Sequence, residues 1–291
     1  MHVSFHLGAH RTDEDQLIKS LLKNGGRLAQ EGVAVPGPGR YRSLVSDVVS
    51  KLGGKRASQD TQDLLIETLV DMDDADRLVL GHENFFGAPH RALEHGQLYP
   101  LAERNSTWLR NMFPDLRVSF FMGMRNPATF VPAVLSGLSD EQRNAIMTQL
   151  DPRALFWSDT IHAIRDANPD CSVTVWCNED TPLIWPEIMH EICGLDATTQ
   201  LKGGFDILGQ IMQPEGMQRM RAYLASHPLQ NEIQRRRVIA AFLERFAIED
   251  EIEEEIDLPG WTEELVEELC AAYDDDMLEI KRIPGVTLLT A

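Results

Sequence analysis

Hydrophobic and polar positions fall into two alternating rhythms along this chain. Val3, Phe5 and Leu7 alternate with polar neighbours, as in a buried strand. Gly8 and Ala9 open a small-residue turn, after which Leu17, Ile18, Leu21, Leu22 and Leu28 recur at helical spacing. The pattern then predicts strands over residues 32–36, 77–81, 116–122 and 171–176, the third being the most apolar. Helices are predicted over 41–52, 60–72, 98–112, 129–138 and 151–167, with Pro132 placed in a first turn. From about Leu195 the strand signal fades, and 214–226, 229–246 and 261–280 read as helices before a closing turn and strand at 283–289.

Strands alternating with helices argue for an α/β fold, a mostly parallel sheet flanked by helices on both faces. The expected organisation is a single domain, an α/β core over 1–194 with a mainly helical extension over 195–291 packing on it. In such sheets ligands sit outside the carboxyl ends of the strands. His10 and Arg11, His82 and Glu83, Arg125, and Asn178 and Glu179 all follow predicted strand ends, so they are expected to converge on one crevice.

The first of these strand ends is the most informative. Strand, tight loop and helix bring backbone N–H groups and a helix N-terminus to one point, where an anion can bind. Here that point carries Asp13, Glu14 and Asp15. The same residues also read as helix-start chemistry. Thr12 is a sound N-cap, the three acids fill a first turn, and Thr12 with Asp15 approximates a capping box.

Composition narrows the partners. The net charge of −19 over 291 residues argues against nucleic acid or an anionic membrane. An anionic ligand would need local arginine or lysine. Cys171, Cys177, Cys193 and Cys270 show no metal-ligand spacing and read as free thiols in a reducing compartment. Neither a signal peptide nor an apolar run long enough for a membrane span is legible, so a cytoplasmic protein is expected. The acidic run at 249–257 reads as a solvated linker or helix face. Core packing accounts for Val238, Phe242, Phe246, Leu265, Leu269 and Met277, with a homodimer face as the alternative.

Phe5-His6-Leu7-Gly8-Ala9-His10-Arg11-Thr12 resembles the opening of bacterial sulfotransferase-like proteins, an apolar strand followed by G-A-H-K-T-G-T-T. Arg125-Asn126-Pro127 resembles that family's second motif, R-[N/D]-P with a Ser eight residues after the Arg. His82 to Gly87 occupies the place of the catalytic base, and the stretch from Tyr273 to Val286 is similar to the C-terminal helix and final strand. The resemblance implies a P-loop NTPase/sulfotransferase-like fold and transfer of a sulfuryl group from 3′-phosphoadenosine-5′-phosphosulfate (PAPS) to a small hydroxyl acceptor. It implies that Gly8, Ala9, His10, Arg11 and Thr12 face the 5′-phosphosulfate. It places Arg125, with Ser136 one turn beyond the motif position, at the 3′-phosphate, and makes Glu83 or His82 the catalytic base.

The departures from the pattern bear on chemistry. Arg11 replaces the Lys and keeps a cation, Asp13 replaces a Gly, Glu14 and Asp15 replace two hydroxyl residues, and Ala133 stands where the motif has Ser. Like charges about 5 Å apart at an effective dielectric near 20 repel by roughly 3 kcal/mol per pair. A helix N-terminus attracts an anion by only about 0.3–1 kcal/mol at an exposed site. Arg11 offsets one acid, not three, so donor binding is expected to be impaired. The alternative is an inactive, diverged member acting as a binding or scaffold protein. A cation held by the three acids with His6 or His10 is a weaker reading, because successive residues point in different directions and at most two reach one ion.

Overall fold

The computed structural model describes residues 1–227, 231–252 and 258–291. Six strands make one all-parallel sheet: β1 (His2–His6), β2 (Val33–Ala34), β3 (Arg77–Gly81), β4 (Arg117–Met124), β5 (Ser172–Cys177) and β6 (Val286–Leu289). Their order is β2-β3-β1-β4-β5-β6. The chain leaves β1 towards one edge of the sheet and leaves β4 towards the other. The ends of these two neighbours therefore form the topological switch point, where α/β sheets place ligands.

The helices are α1 (Gln16–Leu22), α2 (Gly25–Gln30), α3 (Pro38–Leu52), α4 (Gln59–Leu69), α5 (Ala102–Met112), α6 (Pro127–Ser136) and α7 (Asp140–Met147). They continue as α8 (Trp157–Ala167), α9 (Thr181–Cys193), α10 (Leu208–Ile211), α11 (Pro214–Ser226), α12 (Glu232–Phe246), α13 (Glu249–Ile252) and α14 (Glu263–Ile280). Short 3₁₀ turns follow β3 (Glu83–Phe86) and β5 (Asn178–Asp180).

The alternation of β1 sorts its side chains between two cores. Val3, Phe5 and Leu7 enter the larger one, against residues of α3, α5, α6, α8 and α14. Val79, Phe121 and Trp176 from neighbouring strands face the second, filled by Leu17, Ile18 and Leu21 of α1 and by Ile184, Trp185, Ile188 and Ile192 of α9. Of the polar residues of β1 on that second side, Ser4 and His6 are buried and His2 is half-buried. His2 Nε2 meets Ser119 Oγ at 2.6 Å, Ser119 meets Ser172 at 2.6 Å, and Arg77 donates to Ser4 Oγ at 2.7 Å. His6 stacks on Trp176.

Several boundaries differ from the sequence reading. The expected helix across 17–28 is two helices, because Gly25-Gly26 propagates a helix poorly and Asn24 is held elsewhere. The Asn24 side chain donates to the carbonyls of Ser20 and Lys202 and accepts from the Lys202 amide. Residues 98–101 precede α5 rather than begin it, and α8 begins at Trp157 rather than at 151. There the Asp276 carboxylate accepts from the Trp157 amide at 2.6 Å, a cap supplied by α14 that no local pattern reveals. α7 and α9 are helices the reading left out. The start of the helix predicted from Leu229, and 253–257 of the acidic run, lie outside the described residues.

The region after 195 divides in two. Leu208, Met212, Met217, Met220 and Ile239 form a small core of their own across α10, α11 and α12. α14 and β6 instead return to the sheet and its larger core. No helix among the described residues is long and apolar enough to cross a membrane. All four cysteines are free.

Candidate functional site

The loop after β1 meets the turn after β3 on one side and α6, which follows β4, on the other. Gly8 turns the chain there with φ +53°, and its α-carbon face lies against the Glu83 backbone: a Cβ at Gly8 would stand 3.3 Å from Glu83 Cα. Glycine is needed on both counts. The cleft beneath has a volume of about 330 Å³ and is lined by His10, Arg11, Glu14, Asp15, Glu83, Pro89, Val134 and Gly137. His10, Arg11 and Glu83 are thus brought together as the sequence suggested.

The three acids act differently from one another, and the proposed capping box is absent. Thr12 Oγ1 donates to the Ala9 carbonyl at 2.6 Å instead of capping α1. Glu14 and Asp15 lie in left-handed conformations before the helix, at φ 45° and 69°. Asp13 supplies the cap, its Oδ2 accepting from the Leu17 amide at 2.9 Å. Glu14 lies 3.5 Å from the Arg11 guanidinium. Asp15 receives two hydrogen bonds from Arg42 of α3, and Arg42 also donates to the Gly81 carbonyl at 3.2 Å. With Asp13 and Asp15 engaged in these ways and His6 against Trp176, the acid cage for a cation is not formed. Among the described residues no group of three or more potential ligands could hold a metal.

The two motif arginines are also committed within the protein. Arg125 is buried, donates through Nη1 to the Arg11 carbonyl at 2.5 Å, and donates through Nε to Thr129 Oγ1 at 3.1 Å. Asp15 pairs with Arg42. Arg11 lies across the end of α6, where a Cβ on Gly137 would stand 2.5 Å from its Nη2. A cation is favourable at that negative helix end. Ser136 donates to the Ala133 carbonyl at 2.9 Å and is not among the cleft-lining residues.

His10 forms the inner wall. Its amide donates to Tyr99 Oη at 2.8 Å, the Tyr99 hydroxyl donates to Nδ1 at 2.8 Å, and Nε2 donates to Asn84 Oδ1 at 3.0 Å. With Nδ1 accepting from Tyr99, this arrangement suits a neutral imidazole. Burial is the main cause holding His10 below its ordinary pKa, while the Asn84 hydrogen bond and Glu83 pull the other way. Burial drives the enclosed Tyr99 hydroxyl upward. Burial and then Arg42 lower His82 to about 4. His82 therefore stays neutral at pH 7 and is a feeble base; a general base works best with a pKa near the operating pH. It lines a second cavity and not the cleft that Glu83 lines.

Comparison with known protein families, curated proteins and solved structures finds no match.

Desolvation pushes the Asp15 carboxyl up, but the hydrogen bonds and charge of Arg42, with His82 and Lys19 behind them, leave it below its ordinary value. At neutral pH the first cleft therefore has Arg11 against Glu14, Arg42 against Asp15, and Glu83 with no cation of its own. Glu83 accepts no hydrogen bond among the described residues. The amides of Gly8, Ala9 and Arg11 likewise have no acceptor there. Sequence reasoning missed the roles of Tyr99, of Asn84 and of Arg42, which lies on the helix predicted over 41–52. The one available signal for Arg42 was a long cation on the otherwise apolar face that begins with Tyr41 and Val45. Asn178 and Glu179 do not line the cleft; Glu179 accepts from the Asn126 amide at 2.8 Å and from Tyr273 Oη at 3.2 Å.

Proposed function

We propose that the chain is a sulfotransferase-like α/β protein whose donor-binding loop keeps its architecture but no longer favours PAPS, so that it acts as a binding protein. One observation carries this reading: the charges the resemblance assigns to the donor are occupied inside the protein. Arg125 holds the Arg11 carbonyl, Arg11 lies on the end of α6 beside Glu14, and Asp15 takes up Arg42. A polyanionic nucleotide would have to break these contacts and then meet Glu14 and Glu83. At roughly 3 kcal/mol of repulsion per close like-charge pair, two such pairs lower affinity by about four orders of magnitude. Calorimetric titration with 3′-phosphoadenosine-5′-phosphate is expected to give no saturable heat up to millimolar nucleotide. Micromolar binding that is lost in Arg11→Ala would overturn the reading.

A second reading, sulfuryl transfer, is favoured by the unpartnered Glu83 carboxylate beside the half-exposed Arg11 and the unpaired loop amides. In it the acceptor hydroxyl oxygen forms the new bond to sulfur, the bond from sulfur to the bridging phosphate oxygen breaks, and Glu83 takes the hydroxyl proton. Release of 3′-phosphoadenosine-5′-phosphate from PAPS in the presence of hydroxylated acceptors, abolished by Glu83→Gln, would establish this second reading.

A further inference from the structure

Behind the first cleft lies a second cavity of about 260 Å³, with walls from α3, α5 and the turn after β3. α3 contributes Arg42, Val45, Ser46, Val49 and Ser50, one continuous face at helical spacing. α5 contributes Arg104, Asn105, Trp108 and Leu109, again one face. His82 and Phe85 complete it from the turn. Two helix faces that elsewhere would close on each other here hold a gap between rigid elements.

The chemistry of the walls is amphipathic and has a sign. Val45, Val49, Phe85 and Leu109 with the Trp108 ring give an apolar body to the space. No Asp or Glu lines it among the described residues, in a chain of net charge −19. Arg42 is matched by Asp15, but Arg104 is matched by no carboxylate among the described residues. Its guanidinium lies 5.0 Å over the Trp108 ring and its Nε donates to Asn105 Oδ1 at 3.0 Å. Arg42 Nε and His82 Nδ1, both buried on this wall, also have no hydrogen-bond partner. Buried polar atoms without partners are costly and uncommon.

We propose that this second cavity binds a small cyclic carboxylate, its ring between Val49, Phe85 and Trp108 and its anionic group on Arg104. The volume lies just under the roughly 300–1,000 Å³ of sites for drug-sized ligands, so the occupant is a single or fused ring with a short acidic arm. The proposal stands whether or not a nucleotide enters the first cleft, because Arg11, Glu14 and Glu83 take no part in it.

The test uses indole-3-acetate and its neutral counterpart indole-3-acetamide, titrated calorimetrically into the full chain. The acid is expected to bind with a submillimolar dissociation constant, at least about tenfold tighter than the amide, as a charge-assisted contact requires. Arg104→Gln should bring acid and amide to equal affinity, Ser46→Trp should fill the cavity from its rim and abolish both, and Arg11→Gln should change neither. Ser46 and Arg104 are exposed, and thermal unfolding of each variant checks that the fold is kept. The proposal is overturned if neither probe binds at millimolar concentration or if the amide binds as well as the acid. Acid binding that survives Arg104→Gln, or that is lost in Arg11→Gln, overturns it equally.

Discussion

The Asp13 carboxylate does for α1 what a hydroxyl would do at an ordinary N-cap, by accepting the Leu17 amide. Asp13→Ala is therefore expected to destabilise the protein by about 1 kcal/mol in urea unfolding, and Asp13→Asn, which keeps an acceptor, by much less. His82 gives a signed pH dependence. Burial and Arg42 hold it at about 4 against an ordinary 6.5, so between these values the unfolded chain binds a proton that the folded chain refuses. Stability then rises with pH across that window and levels off above it. The contribution is on the order of 1–2 kcal/mol once the partial exposure of the ring is discounted. His2, lowered to about 4 by burial first and then by Arg77 and Arg117, acts in the same direction. Urea midpoints at pH 5 and pH 7 should differ less in His82→Gln than in the parent; an unchanged difference would assign the slope to other groups.

At the scale of elements, the β1 loop is held by its neighbours rather than by its own sequence. Gly8 sits at φ +53° against the Glu83 backbone, so Gly8→Ala should cost on the order of 1–2 kcal/mol through backbone strain alone. The check is a lower urea midpoint with an unchanged slope. α9 shows how a local rule misleads. Pro182 lies at the start of this helix and Pro186 lies inside it, and two prolines argue against a helix. Yet Ile184, Trp185, Ile188, Met189 and Ile192 make an apolar stripe that buries against β1 and β3, and that burial outweighs one missing backbone hydrogen bond.

At the scale of the whole molecule, self-repulsion dominates the electrostatics. A net charge of −19 destabilises the compact state at low ionic strength, and salt at about 0.15 M shortens the Debye length to about 8 Å. The melting temperature is expected to rise by a few degrees between low salt and about 0.15 M sodium chloride. A fall on adding salt would mean that exposed pairs such as Arg153 with Glu268 matter more than the net charge. Such pairs contribute little individually because water and ions screen them.

The alternating and helical periods of the chain determined the α/β class, the core side of β1, and the strand ends at which His10, Arg11, Glu83 and Arg125 stand. Those are local properties, written in residue spacing. The tertiary structure alone decided which charges meet. Asp15 and Arg42 are far apart in sequence and Arg125 is farther still from Arg11, yet parallel pairing of β1 with β3 and β4 brings their ends together. Tertiary packing of α14 gave the start of α8 to Asp276. Tertiary packing also left a gap between α3 and α5 that neither helix encodes alone. A periodic pattern specifies which face of an element is buried; it carries no information about which polar partner the neighbouring element supplies.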